Sequence, residues 1–487
     1  MTQLWQLNLA QCSEGLKNKD FSVTELTEAC LKRLTETEPA IKSCLAVLED
    51  QALETARDLD RRGNDSSRLL WGLPLTVKDV FCLKGAPTTA GSRQLSDYYS
   101  VFEATVVRRL KAHGAIILAK TNCDEFAMGS STEFSAFGPT RNPWDRQRVP
   151  GGSSGGAAAS VAGFQVPGAF GTDTGGSIRQ PAALCGCVGL KPTYGRVSRY
   201  GIIAYGSSFD QAGPLARTAA DCGRLLQAVA GPDAYDATLA DCPVPDFVNQ
   251  RPLKPNELTL GLPRQFWNAD LHPQVAKVLD EARNLLTKAG LNLIEVDLPN
   301  IKYAVAAYYI LASAEASTNL ARYDGVRYGF RQPDPGDLME LYTKTRQTGL
   351  GPEARRRILL GTFVLSSGYY EAYYRKAAQV RRLIKNDIEA ALTRCHFLLA
   401  PVSAIPAWPL GSFLDDPLTV YQMDLMTLPL NLYGGPGLSV PAGLGDDNLP
   451  VGAQLWGKPM SEASLISAGR VLESLWPKLP EPQIPVI

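Results

Sequence analysis

The chain changes hydrophobic period along its length. From residue 22 the apolar positions fall at helical spacing. Ser22 and Glu25 form a capping box, and Leu26, Ala29, Cys30 and Leu34 follow. The pattern predicts helix across 22–62. Its last run, ALETARDLDRR at 52–62, closes at Gly63 and the loop Gly63-Asn64-Asp65-Ser66-Ser67. At 71 the period becomes two. Leu73, Leu75 and Val77 alternate with Pro74, Thr76 and Lys78, which predicts a strand. Residues 103–112 return to helical spacing, and AIILAK at 115–120 reads as a short buried strand. Strand, helix and strand at this distance predict a βαβ unit with parallel pairing.

Residues 150–177 break both periods. They hold nine glycines in 28 positions, with Ser and Thr dense among them. PGGSSGGAAASVAG predicts a Gly/Ser loop feeding a small-residue helix, and GTDTGGSIRQPAAL repeats that plan. Residues 240–258 are Pro-rich and polar, a long surface connection. LTLGLP at 258–263 reads as a strand. HPQVAKVLDEARNLLTKAG reads as an amphipathic helix ending at Gly290, and LNLIEVDLP as the strand after it. Residues 303–395 are mostly helical by pattern. CHFLLAP at 395–401, GLSVPAGL at 437–444 and LPVGAQLWGK at 449–458 read as further strands. The sum is one large α/β protein with a helical section around 300–395.

Composition narrows the function. The 487 residues carry 49 Lys+Arg against 49 Asp+Glu, so the formal net charge is zero. That balance argues against a strong electrostatic grip on nucleic acid, which needs a basic face. Only three histidines occur, His113, His272 and His396, and they are far apart. A His-rich metal site is excluded, and a Ser–His–Asp triad would have to use one of the three. Ten scattered cysteines without a C-x-x-C pair fit buried free thiols of a cytosolic protein. MTQLWQLNLAQCSEG lacks the basic and apolar regions of a signal peptide, and no apolar run reaches the roughly 18 residues that span a bilayer. The expectation is a soluble, cytoplasmic chain with no membrane contact.

The glycine cluster has two readings. Gly and Ala permit close packing of backbones; alternatively, exposed N–H groups cradle an anion or oxyanion. A nucleotide-phosphate loop fails, because neither G-x-x-x-x-G-K-[ST] nor G-x-G-x-x-G occurs here. An oxyanion hole over Thr174, Gly175, Gly176 and Ser177 fits better, with Ser177 at the turn as a nucleophile. Its hydroxyl needs a base. None of the histidines lies in a Gly/Ser context. Lys78 ends an apolar strand that would carry its amine into the interior, where desolvation lowers a lysine pKa. The competing reading of Lys78 is an ion pair with a neighbour such as Asp79.

The run GGSSGGAAASVAG followed by GTDTGGSIRQPAALCGCVGLKPTYGRVS resembles the amidase signature family, as do GLPLTVKD and TNCDEFAMGSSTE. YYILASAEASTNLARYDGVRYG, RRRILLGTFVLSSGYYEAYY and PLTVYQMDLMTLPLNLYGGPGLSVP resemble the family's glutaminase subunits of tRNA-dependent amidotransferases. The resemblance implies a single amidase domain over 1–487, with a mixed central sheet covered by helices. Its parts would be an N-terminal helical part (1–65), a catalytic core with the Gly/Ser motifs (66–240) and the helical section 300–395. It implies a Ser–cis-Ser–Lys triad of Ser177 as nucleophile, Ser153 as bridge and Lys78 as base. The implied oxyanion hole is Thr174, Gly175 and Gly176, and no metal takes part. For the substrate glutamine it implies Arg357 at the carboxylate and Asp424 at the ammonium, with Tyr308 and Met128 in the pocket. Arg355 and Arg356 adjoin Arg357, and pattern alone reads all three as a solvated helix face. The resemblance further implies no cofactor on this chain. ATP and Mg would be used by a partner protein, in a heterotrimer with subunits B and C that converts Glu-tRNA(Gln) to Gln-tRNA(Gln). A stand-alone amidase for a small amide, or a non-catalytic scaffold of the same fold, are the competing functions.

Overall fold

Eleven strands hydrogen-bond into one mixed sheet in the structure, a computed structural model that describes residues 3–65 and 67–485. Met1, Thr2, Ser66, Val486 and Ile487, which belong to the expected 1–487 domain, lie outside the described residues, so Ser66 of the predicted loop is not described. The strands are β1 (Cys44–Val47), β2 (Pro74–Lys78), β3 (Ile116–Thr121), β4 (Gly168–Thr172), β5 (Val188–Lys191), β6 (Ala212–Ala216), β7 (Thr259–Pro263), β8 (Asn292–Val296), β9 (Phe397–Pro401), β10 (Gly437–Leu444) and β11 (Pro450–Trp456). Their order is β1-β3-β2-β4-β6-β5-β10-β11-β9-β7-β8. β3, β2 and β4 run parallel, as do β9, β7 and β8; the remaining pairs are antiparallel. The α/β class and the mixed, helix-covered sheet are therefore as expected, and so is the βαβ unit of β2, the helix Thr105–Ala112 and β3.

The capping box holds. Ser22 Oγ accepts from Glu25 N at 3.1 Å, and Ser22 N donates to Glu25 Oε2 at 2.7 Å. The helix it starts, Val23–Ile41, stops well short of 62, however. β1 interrupts the predicted run before the helix Glu49–Arg62. Four residues are too few to display a period of two, so β1 is hidden inside the helical pattern. β4, β5 and β6 also escape prediction. They are short, rich in Gly, Ala and Pro, and buried throughout, so they show no alternation.

β2 corrects the meaning of its own pattern. Pro74, Thr76 and Lys78 are as buried as Leu75 and Val77. Thr76 and Lys78 share one face by the strand period, and helix Gly155–Ala162 covers it: Thr76 Oγ1 lies 3.1 Å from Ser160 Oγ. That helix approaches so closely that a Cβ on Gly156 would sit 2.3 Å from Ser43 O and 2.5 Å from Asn122 O. Close packing and the site thus use the same glycine cluster.

Asp79 turns to the opposite side of the strand end and pairs with Lys120, not Lys78. Lys120 Nζ donates to Asp79 Oδ1 at 2.7 Å, and Thr89 N and Oγ1 donate to Asp79 Oδ2 at 2.8 and 2.5 Å. Both charges are buried. The ten cysteines are free thiols, eight of them buried. Among the described residues no helix is long and apolar enough to cross a membrane.

Removing one partner of a buried ion pair leaves the other uncompensated. Asp79→Asn should destabilise the fold by about 3–5 kcal/mol, and the double change Asp79→Leu/Lys120→Met by less. Urea unfolding midpoints test this; a single variant within about 1 kcal/mol of the parent would contradict it.

Candidate active site

Three elements meet around the Lys78 amine at the carboxyl ends of the parallel strands β2 and β4, where open α/β sheets place their ligands. Lys78 Nζ donates to Ser153 Oγ at 2.7 Å, Thr172 Oγ1 at 2.9 Å and Ser154 Oγ at 3.0 Å. Thr172 ends β4, and Ser153 and Ser154 precede helix Gly155–Ala162. All three partners are hydroxyls. Lys191, also fully buried, donates instead to Pro192 O, Gly435 O and Gln211 Oε1. Amide oxygens only accept, so a neutral Lys191 amine, with two N–H groups, could not serve all three; hydroxyls also donate, so the Lys78 amine can lose a proton and stay bonded. Burial lowers Lys191 too, to about 7, so the hydroxyl partners and not burial alone distinguish Lys78. Burial pushes Lys78 down to about 8, opposed in part by the carboxylates of Asp124, Asp210 and Asp173.

The Gly152–Ser153 peptide bond is cis. Its loop is pinned on both sides: Gly152 N donates to Gln180 Oε1 at 2.8 Å, and Asp124 N to Ser153 O at 3.3 Å. Ser154 N donates to Ser177 O at 3.1 Å, joining the two serine loops. Ser177 keeps 7% of its surface exposed and lines the pocket, whereas Lys78 and Ser153 keep none. Of the three, only Ser177 is reachable by a substrate.

The loop 173–177 is organised by Asp173. Its carboxylate accepts from Gly176 N at 2.9 Å, from Arg179 Nε at 3.0 Å and from Asn431 Nδ2 at 2.8 Å. Burial alone would raise this carboxyl, but Arg179, Lys191 and Asn431 together outweigh it and hold it at about 2. The N–H groups of Thr174, Gly175 and Ser177 have no protein acceptor among the described residues. Gly176 therefore departs from the expected oxyanion set: its N–H serves Asp173. Gly176 has φ +132°, and a Cβ there would meet Thr427 Oγ1 at 2.2 Å. Thr174 is buried and tied through Oγ1 to Asp210 Oδ1 at 2.6 Å, leaving Gly175 and Ser177 to present their backbone to the pocket.

The pocket is narrow, with only about 10 Å³ of free space, so its walls must part to admit a ligand. Arg357, Asp424, Tyr308, Tyr309 and Tyr205 line it together with Ser177. Arg357 Nε donates to Glu353 Oε1 at 2.7 Å and Nη1 to Tyr205 OH at 2.6 Å. Its guanidinium also lies 5.1–5.4 Å from the ring centres of Tyr205, Tyr309 and Tyr421. Asp424 Oδ2 accepts from Tyr309 OH at 2.7 Å and Ser130 Oγ at 2.9 Å. Burial raises its carboxyl to about 6. Arg357 Nη2 and Asp424 Oδ1 have no hydrogen bond within the protein among the described residues. The solvated-face reading fits the neighbours only: Arg355 is exposed and Arg356 half-buried, while Arg357 is buried. Met128 is fully buried in the core between two wall residues, Ala127 and Gly129, and does not line the pocket.

A family model described as Amidase matches residues 25–466. The chain belongs to the amidase family. It is 54% identical to the A subunit of the glutamyl-tRNA(Gln) amidotransferase of Nitratidesulfovibrio vulgaris, over 99% of both chains. It is 52% identical to the protein of the same name from Chloroflexus aurantiacus, over 98% of both. Among solved structures, the corresponding A subunit of Thermotoga maritima superposes with a TM-score of 0.84 at 39% identity, covering 99% of each chain. The peptide amidase of Stenotrophomonas maltophilia superposes at 0.83 and 30% identity, covering 98% of this chain and 99% of its own.

Several residues of this amidase site are not singled out by sequence. Thr172, Gln180, Tyr205 and Tyr309 act through partners distant in the chain, which no local spacing reveals. Two pairs do leave a trace: the buried Asp173–Arg179 pair lies inside the motif GTDTGGSIRQ, and Glu353 and Arg357 stand four residues apart on one helix.

A base must be neutral to accept a proton, and Lys78 is mostly charged below about 8. The acylation rate should therefore rise about tenfold per pH unit up to about 8 and level off above it. A stopped-flow or quench profile checks this; a flat rate from pH 6 to 9 would contradict it.

Proposed function

We propose that this chain is the glutaminase component of an ATP-dependent tRNA amidotransferase. The observation that carries the reading is the pairing, in one small pocket, of a reachable serine with Arg357 and Asp424. An arginine edge suits a carboxylate and a carboxylate suits an ammonium, so the wall is complementary to an α-amino-acid head group. Ser177 then meets the side-chain amide at the other end.

In this reading the Lys78–Ser153 hydrogen bond carries the protons. Ser177 Oγ attacks the carboxamide carbon of glutamine. Its proton passes to Ser153 Oγ as the Ser153 proton passes to Lys78 Nζ. Negative charge gathers on the carboxamide oxygen, beside the N–H groups of Gly175 and Ser177. The Lys78 ammonium returns a proton through Ser153 to the leaving nitrogen, and ammonia departs. Water then attacks the acyl-enzyme, its proton passing along Ser153 to Lys78; the Lys78 ammonium returns a proton through Ser153 to Ser177 Oγ as the ester bond breaks, and glutamate leaves.

The relatives named as amidotransferase subunits support a multi-subunit setting. In this reading, subunits B and C complete a cytoplasmic heterotrimer. The partner uses ATP and Mg to activate Glu-tRNA(Gln), which takes the ammonia to become Gln-tRNA(Gln). The zero net charge of this chain agrees with leaving RNA to the partner. A stand-alone amidase would use the same serines and lysine, but it gives no reason for a buried arginine and carboxylate facing one pocket.

Ser177→Ala should abolish acyl-enzyme formation and cut glutamine hydrolysis at least about a thousandfold. Arg357→Gln should raise KM for glutamine at least about tenfold while changing butyramide turnover little. Steady-state kinetics with and without the partner subunits, ATP and charged tRNA test both. Butyramide turnover equal to that of glutamine would contradict the reading.

A further inference from the structure

Glu125 lies outside the pocket lining, yet its buried carboxylate bridges two supports of the pocket. Ser92 Oγ donates to Glu125 Oε1 at 2.5 Å, and Gly351 N donates to Glu125 Oε2 at 2.8 Å. Gly351 caps the helix Pro352–Leu365, which carries Glu353 and Arg357. Pro352 has no N–H, so the Gly351 N–H is the donor through which this end of the helix is held. On the other side, the chain of Glu125 continues into Ala127, Gly129 and Ser130, all in the pocket wall. Ser130 in turn bonds Asp424. One carboxylate thus links the mount of Arg357 to the mount of Asp424. Burial raises this carboxyl to about 7, against the Ser92 and Gly351 hydrogen bonds and the charges of Arg355 and Arg93.

We propose that Glu125 is a positioning residue for amino-acid recognition: it sets the distance between Arg357 and Asp424 by seating helix Pro352–Leu365 on the loop 125–130. This rests on the reading of the pocket as a glutamine site. Glu125 touches no substrate. Its effect falls on the head group, about 9 Å along the helix from Gly351 at about 1.5 Å per residue, and not on the Ser177 chemistry.

The test uses the full-length chain and three substitutions. Glutamine affinity is measured by calorimetry in a Ser177→Ala parent, and butyramide acylation with Ser177 intact. Glu125→Leu leaves the half-buried Gly351 N–H without its protein acceptor and should weaken glutamine binding about tenfold or more. Butyramide, which lacks both head-group charges, should be acylated within about threefold of the parent rate. Glu125→Gln can still accept from Gly351 N and donate to Ser92 Oγ, so it should restore affinity to within about threefold. If Glu125→Leu does not fold, Ser92→Ala decides: removing one support should weaken glutamine binding about threefold or more with butyramide acylation unchanged. Unchanged glutamine affinity in these variants, or butyramide acylation lost in step with it, would overturn the positioning role. A Ser177→Ala parent that binds no glutamine at all would overturn the functional reading and this proposal with it.

Discussion

When β2 is buried, the Lys78 ammonium loses its water, and only the hydroxyls of Ser153, Ser154 and Thr172 replace it. Much of the centre of the protein serves this exchange. The parallel placement of β2 beside β4 brings Thr172 to the amine, and the small-residue helix behind Ser154 seals the face. Asp79, the nearest carboxylate in sequence, is drawn away by Lys120, so no full counter-charge fixes Lys78 as an ammonium. Desolvation can then express itself as basicity near neutral pH, without histidine.

The rest of the site divides its charges with similar care. Asp173 is kept ionised by Arg179 and spends its oxygens ordering the loop that presents Ser177. Arg357 is already paired with Glu353, while Asp424 is bonded only by hydroxyls, and burial, against those bonds, raises it to about 6. In the proposed glutamine site, a zwitterionic head group supplies a carboxylate to the one and an ammonium to the other. Rigidity comes from uncharged contacts: the tyrosines around Arg357, the Ser130 hydroxyl on Asp424, and the two bonds of Glu125 behind them.

Much of this is legible in the chain. The helical and strand periods locate β2, β3 and every strand from β7 to β11, because those segments are long enough or regular enough to show them. The Gly/Ser motif leads to Ser177, the family resemblance adds Ser153, and that resemblance is borne out along the chain. What is not legible depends on partners far apart in sequence. Lys78 and Asp79 are neighbours, and spacing alone cannot say that Lys120, 41 residues away, takes the carboxylate of Asp79. Arg355, Arg356 and Arg357 are equivalent by composition; burial on one helix face separates them. The Gly176 N–H belongs to the oxyanion hole by motif, but Asp173 occupies it. Met128 lies within the expected motif, but its side chain is buried in the core.

The Lys78 amine is neutral within reach of physiological pH because burial, and not a counter-ion, sets its charge. Selective labelling of the lysine side chains and NMR titration of the Lys78 ε-amine tests this directly, with Lys78→Met used to assign the signal. The expected titration midpoint is near 8. An amine that stays protonated up to the ordinary lysine range of about 10.4 would contradict it.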